Sequence, residues 1–539
     1  MFQLRYLTFW LCALVAVASV GWMIASGFHA WIALLALTTG FLAAVGVRDM
    51  AQVRQSVRRN YPILANLRYF LEFIRPEIRQ YFLEDDTEAK PFSRNQRSVV
   101  YQRAKQEVDK RPFGTQKDVY EAGYEWINHA VVPAKVESCD FRITIGAGKP
   151  GVIQPYSASV FNISAMSFGA LSANAIRSLN QGAKKGGFAH DTGEGSISQY
   201  HREHGGDLIW EIGSGYFGCR NKDGSFSEEN FIRNARDPQV KLIEVKLSQG
   251  AKPGHGGVLP GPKVTPEIAA ARGVEPWTDC VSPASHSAFS TPVEFMHFIA
   301  RLRELSGGKP TGFKLAIGHP WEFFAMVKAM LATGITPDFI VVDGGEGGTG
   351  AAPVEFTDHV GTPLQEALLL VHNTLVGANL RSQIKLGASG KIVTAFDIAR
   401  TIALGADWCN SARGFMFALG CIQAQSCHTG KCPTGVTTQD PKRQQALVVP
   451  DKAERVYNFQ HNTLKALGEL LAAAGLDHPD DLRPHHIVRR VSHNQVQLLS
   501  NLYTFLKPGD LLNGTAQGAV FEYYWPMAQC ESFKPASHK

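Results

Sequence analysis

Cysteine is scarce in this chain: 9 among 539 residues, an odd number. Six of them, Cys12, Cys139, Cys219, Cys280, Cys409 and Cys530, are scattered along the chain. A disulfide framework needs dense, evenly counted cysteines, so a stapled secreted scaffold is excluded and a reducing compartment fits better. An excess of one charge is also lacking. The 54 basic and 48 acidic residues leave a net charge of +6, too little over this length to mark a nucleic-acid binder, and no nucleic-acid partner is expected. Low-complexity tracts and sequence repeats are absent. At 45% hydrophobic and 19% charged residues, the composition excludes a disordered or collagen-like chain.

One absence is local. From Tyr6 to Val47 there is no Asp, Glu, Lys or Arg, which is room for two membrane spans of about 20 residues each. The polar break Ala25-Ser26-Gly27-Phe28-His29 divides this stretch into helices at Leu7–Ile24 and Ala30–Val47. Trp10, Trp22 and Trp31 fall near span ends, where indoles favour the interface. Arg5 precedes the first span, and Arg48, Arg54, Arg58 and Arg59 follow the second. The positive-inside rule therefore puts both flanks, and the domain that follows, on the cytoplasmic side of the inner membrane. A cleaved signal peptide ending at Ala16-Val17-Ala18 is the alternative, opposed by the second apolar span that follows at once. Residues 48–79 carry seven Arg against three acidic residues. They are either an amphipathic surface for anionic headgroups or a solvated basic face.

From about Val160, short apolar runs ending in Gly, Ser or Asp alternate with helical segments. The runs are Val160–Ala165, Gly187–Asp191, Lys241–Leu247, Asp279–Pro283, Gly312–Ile317, Phe339–Gly344, Ile384–Ser389 and Asp407–Ala412. Eight strands alternating with helices such as Val293–Leu305, Trp321–Ala332 and Ala395–Leu404 predict an α/β fold, a closed (β/α)8 barrel. An open doubly wound sheet is the structural alternative. The domain plan is a hairpin at 1–48, a basic lead-in at 49–135, the barrel at 136–475 with a helix at Ala453–Ala474, and an extension at 476–539.

The remaining cysteines form the strongest motif. Cys421, Cys427 and Cys432 lie within twelve residues, spaced C-x5-C-x4-C and followed by Pro433. Three nearby thiolates match a three-iron cluster, whereas four usually hold a four-iron one. Zinc with His428 as a fourth ligand is the other reading. Three loops suit a phosphate: Asp343–Gly350, which includes Gly348 and Thr349; Gly387–Gly390, which includes Ser389; and Ser411–Gly414, with Ala412 and Arg413. In barrels the loops after strands seven and eight frequently bind phosphate through backbone N–H groups. Lys314 is a cation inside an apolar run, either snorkelling from a strand end or set near the N1/O2 edge of a flavin. The stretch Gln249–Gly261, rich in Gly and Pro, reads as a loop that closes over a site. Lys252 and, twenty residues on, Arg272 suit a dicarboxylate. Glu194, after the second strand, suits acid/base work or ammonium binding. For these three a plain surface or structural role is the competing reading.

Taken together, these residues resemble the FMN-binding synthase domain of glutamate synthase, from about Asp140 to Pro441. The resemblance is carried by Ile163–Ser172, Thr192–Gly195, Gln249–Gly254, Gly347–Gly350 and the run from Gly420 to Gln439. It implies a (β/α)8 barrel holding FMN and a [3Fe-4S] cluster on Cys421, Cys427 and Cys432. It also implies reduction of 2-iminoglutarate, formed from 2-oxoglutarate and ammonia, to glutamate. By position, Met166 and Ser167 would lie against the flavin ring and Lys314 at its N1/O2 edge. Ser389, Gly390, Ala412 and Arg413 would hold the phosphate. Glu194 would help form or protonate the imine, and Lys252 and Arg272 would bind the oxoacid. The departures are an apolar hairpin where the family has an amidotransferase domain, no C-terminal β-helix domain, Val258 where the family uses a glutamine, and Ser196 where a further Gly is usual. The nitrogen source is then free ammonia, an amine or a partner. The electron donor, a ferredoxin, a partner flavoprotein or a membrane quinone pool, is not named by the sequence. Two other functions keep these cofactors: a synthase for another amine and oxoacid pair, such as an N-alkylglutamate, and a membrane-tethered electron-transfer subunit.

Overall fold

A computed structural model describes residues 4–536. The chain divides into two compact units, Met1–Ala89 and Lys90–Lys539.

The first unit opens with α1, Leu7–Ser26, and α2, Ala30–Ala51, of mean hydropathy 2.1 and 2.0. Both are long and apolar enough to cross a bilayer. Gly27, at φ 87°, breaks the chain between them. Gly46 lets the helices approach: a Cβ there would stand 2.6 Å from the Phe9 ring. Buried Asp49 closes the end of the hairpin by accepting the Ile63 N–H at 3.0 Å.

The second unit is built on a closed parallel barrel of eight strands in sequential order. They are β1 Phe161–Ile163, β2 His190–Asp191, β3 Leu208–Ile212, β4 Val240–Lys246, β5 Thr311–Leu315, β6 Phe339–Asp343, β7 Lys385–Ser389 and β8 Trp408–Ser411. Pairs such as Phe313↔Ile340, Val341↔Gly387 and Cys409↔Phe161 set the register around it. Parallel strands covered on both faces read as continuous apolar runs, and β6, Phe339–Asp343, does so up to its last residue. Intervening helices start at side-chain caps: Ser172 Oγ accepts the Ala175 N–H, and Thr394 and Asp397 form a capping box. Gly387 is required by packing, because a Cβ there would lie 2.4 Å from the Trp408 indole.

The expected eight strands close as a barrel, with one exchange of members. Asp279–Pro283 is not a barrel strand. Its Cys280–Val281 pairs antiparallel with Val258–Leu259 in a separate two-stranded ribbon, and Val281 is exposed. The third barrel strand is Leu208–Ile212, buried throughout although it contains Glu211. The charge that interrupts its apolar pattern is neutralised by Lys314, 103 residues away in sequence. Outside the barrel, Ile487–Ser492 pairs with Glu125–Ile127.

Inside the wall, both ring nitrogens of His190 lack a hydrogen-bond partner, and its ring stands 5.2 Å from that of His201. Burial pushes His190 down to about 3. Burial, then the nearby His190 and Arg202, lower His201 as well. Both are neutral in the fold but titrate near 6.5 when unfolded. Their stabilising contribution is complete above about pH 6.5 and is lost as pH falls toward the folded values. The urea midpoint should fall over that window, and His190→Leu should flatten the fall. An unaltered slope in the variant would remove His190 from this account.

Candidate active site

The C-terminal strand ends surround a cavity of about 460 Å³, in the size range of small-molecule and cofactor sites. Met166 and Ser167, from the segment after β1, line it. Glu194 enters from the loop after β2, seated between two glycines. A Cβ on Gly257 would come within 2.5 Å of Glu194 Oε1, and one on Gly213 within 2.7 Å of Oε2. The carboxylate pairs with Lys246 Nζ at 3.2 Å, at the end of β4. Burial alone would raise its pKa, but Lys246, Arg272 and Lys252 together hold it below the ordinary carboxylate value. Glu194 is therefore an ionised carboxylate in this arrangement.

Lys252 and Arg272 face the same space. Burial lowers the Lys252 ammonium, with Glu194 opposing. Arg272, at 4% exposure, ends the helix Pro266–Arg272 and donates to the Phe168 carbonyl at 3.1 Å. Its Nε is buried and has no partner. Lys314 reaches the cavity from below, with its ammonium held by Glu211 and, at 3.6 Å, by Glu244. Burial would lower it; Glu211, Glu244, Asp191 and Asp343 raise it well above its usual value. Burial and Glu211 push Asp191 up to about 7. Asp191, Glu211 and Glu244 bring three carboxylate oxygens within 4.8 Å of one another, and Lys314 is their counter-ion.

The opposite side of the cavity is glycine-rich. Gly348 and Thr349 after β6, Ser389 and Gly390 after β7, and Ala412 and Arg413 after β8 converge there. Arg413 is fixed by donating to the Thr349 carbonyl at 2.6 Å. The Ser389 hydroxyl donates to Asp343, whose second oxygen accepts the Gly250 N–H at 2.8 Å. Arg413 and Lys391 put positive charge beside these loops, the donor set that a phosphate group requires.

A smaller cavity, lined by Cys421, Cys427 and Cys432, adjoins the first. Met416, Cys427 and Thr437 line both. Burial would raise the Cys432 thiol, but hydrogen bonds from Thr434 and Thr437 bring it down to about 7, while burial pushes Cys421 up to about 11. Among the described residues, the set whose ligand atoms all come within 4.8 Å of one another is the acidic one around Lys314, not the cysteines. The loop is held from outside by Tyr101, whose hydroxyl donates to the Cys421 carbonyl at 2.6 Å, and by the Phe92 backbone, which exchanges two hydrogen bonds with the side chain of the loop's Gln423.

All the site residues singled out in the sequence thus lie on these two adjoining cavities. Lys246, Lys263 and Lys391 also line the main cavity and were not anticipated. Lys246 carries the same signal as Lys314, a cation closing an apolar run. The other two read as ordinary loop charges. Val258 lines the cavity at 44% exposure. Ser196 adopts φ 72°, the left-handed region that favours the glycine usual at that place.

The family described as the conserved region in glutamate synthase matches residues 136–477. The chain is 38% identical over 510 residues to the glutamate synthase large subunit-like protein YerD of Bacillus subtilis, covering 87% of this chain and 97% of YerD. It is 36% identical over 341 residues to the archaeal glutamate synthase (NADPH) of Methanocaldococcus jannaschii, covering 62% of this chain and 63% of that protein. Among solved structures, a double-mutant flavocytochrome b2 with pyruvate bound aligns with a TM-score of 0.42 at 12% identity, over 83% of this chain and 96% of that one.

The electrostatics give a direct test. Replacing Lys246 by Met removes the strongest influence lowering the Glu194 pKa, so that pKa should rise toward and past the free value. Difference infrared titration against a Lys246→Met/Glu194→Gln double variant reads it. A Glu194 that titrates at the same pH with and without Lys246 would contradict the assigned pairing.

Proposed function

The chain belongs to the glutamate synthase family, and from that premise we propose that it is an oxidoreductase reducing 2-iminoglutarate, formed from 2-oxoglutarate and ammonia, to glutamate. The observation that carries this reading is the convergence in one cavity of Glu194, Lys246, Lys252 and Arg272 opposite the glycine-rich loops and Arg413. One side suits a dianionic oxoacid and the other a flavin phosphate.

FMN fits the second side: Ser389, Gly390, Gly348, Thr349, Ala412 and Arg413 would hold the phosphate, and Met166 and Ser167 would border the ring. Once bound and reduced, FMN supplies the hydride for the substrate carbon. The chain's own residues do the rest. Lys252 and Arg272 fix the two carboxylates of the oxoacid. Ionised Glu194 holds ammonium and takes a proton from it, releasing ammonia to attack the carbonyl. Water leaves as the imine forms. The proton held on Glu194 returns to the imine nitrogen as the carbon is reduced, so charge balances over the cycle. Closure of the Gln249–Gly261 loop excludes water from this exchange.

Cys421, Cys427 and Cys432 would hold a [3Fe-4S] cluster, and their cavity's shared wall with the main one supports that reading. A cluster held by these three cysteines would supply single-electron transfer from an external donor, a ferredoxin or a flavoprotein. The apolar lengths of α1 and α2 and their flanking arginines support an anchor in the cytoplasmic membrane with the barrel on the cytoplasmic side. A second reading, use of an alkylamine in place of ammonia, is favoured by Val258, an apolar residue at the cavity.

Two measurements test the reading. Protein purified without air should contain one FMN and about three irons per chain, and Cys427→Ser should lose the iron and keep the flavin. Flavin loss with iron retained, or an unchanged iron content in the variant, would contradict the ligand assignment. Arg272→Lys should weaken 2-oxoglutarate binding by roughly 1.5–3 kcal/mol, the scale of a charged hydrogen bond. Equal affinity would take Arg272 out of the site.

A further inference from the structure

Lys263 occupies an unusual place. It closes the short turn Gly261–Lys263, which is pinned by a hydrogen bond from the Gly261 N–H to Asp279 at 2.6 Å and by the Lys263 N–H donating to the Pro260 carbonyl at 2.8 Å. The next residues cap and begin the helix that ends in Arg272. The side chain lines the main cavity and is 9% exposed. Its stem passes Gly430, where a Cβ would be 3.8 Å from Lys263 Cε. Its ammonium donates to the Cys427 carbonyl at 2.8 Å, inside the loop that carries the three cysteines.

Burying an ammonium group costs several kcal/mol unless charge or hydrogen bonds offset it. Among the described residues no carboxylate is paired with Lys263, and one neutral carbonyl is a weak return for that burial. Three thiolates holding a cluster would supply the missing negative charge on the side that Nζ faces. A fixed positive charge beside a reducible centre favours the state that has gained an electron.

We propose that Lys263 is a positioning residue between the metal loop and the flavin cavity, whose fixed charge raises the reduction potential of the cluster held by Cys421, Cys427 and Cys432. This rests on the cluster reading above. Each one-electron reduction adds one negative charge to the cluster, and Lys263 stabilises that charge until the electron passes to the flavin. The residue acts through the cluster and does not touch the substrate.

The test is an EPR-monitored redox titration of the purified full chain, wild type against Lys263→Met and Lys263→Arg, with iron measured in each. Lys263→Met keeps the stem and removes the charge. Its one-electron equilibrium should shift about tenfold toward the oxidised cluster, a fall of about 59 mV. Lys263→Arg should stay near wild type, which a merely structural role would not produce. If the Met variant takes up no iron, Lys263→Gln, a neutral donor, makes the same comparison. Full iron with an unmoved potential in the neutral variant overturns this inference alone. A wild-type chain that binds FMN but no cluster overturns both this inference and the metal part of the proposed function.

Discussion

A lysine ammonium enclosed by a barrel has to be neutralised where it stands, and the electrostatics of this site follow from how that is done. Lys314 is held by Glu211 and Glu244 on neighbouring strands, with Asp191 close by. The pair satisfies the interior, so Lys314 does not discharge Glu194. Above it, Lys246, Lys252 and Arg272 meet Glu194 as the nearby carboxylate. Besides Lys263, the cavity is left with positive charge that has no paired carboxylate at two places, around Arg272 and around Arg413. Such a field concentrates anions, and the two places match an oxoacid and a phosphate.

Parallel closure explains why these groups meet at all. Every strand delivers its C-terminal loop to one face, so the residues after β1, β2, β4, β6, β7 and β8 converge although they span more than two hundred positions. The helix after β8, Arg413–Leu419, ends at Gly420 in the left-handed conformation, and the loop of the three cysteines begins there. Its place beside the cavity is thus a consequence of the last barrel strand. Lys263, in the turn that follows the loop carrying Lys252, donates to the carbonyl of Cys427, which lines both cavities.

Much of this was legible in the sequence, and the failures have physical causes. The apolar runs gave seven of the eight barrel strands, because buried parallel strands are apolar on both faces. Leu208–Ile212 escaped because Glu211 breaks its pattern, and the partner that permits a buried carboxylate lies on another strand. Asp279–Pro283 was misassigned because a short run of Cys and Val reads alike in a barrel wall and in an exposed ribbon. The three cysteines were legible from spacing alone. Lys246, Lys263 and Lys391 were not, since burial distinguishes them from solvated lysines and burial is a property of the fold. The ionised state of Glu194 was likewise illegible: it depends on three cations brought from separate segments.

The central claim is that one cavity brings an oxoacid, a nitrogen donor and a reduced flavin together. An anaerobic single turnover tests it most directly. The purified chain is reduced chemically, then mixed with 2-oxoglutarate and ammonium, and flavin absorbance is followed while glutamate is assayed. The account predicts that the flavin reoxidises only when both compounds are present, with one glutamate formed per flavin. A flavin that stays reduced with ammonium and with small alkylamines alike would contradict it.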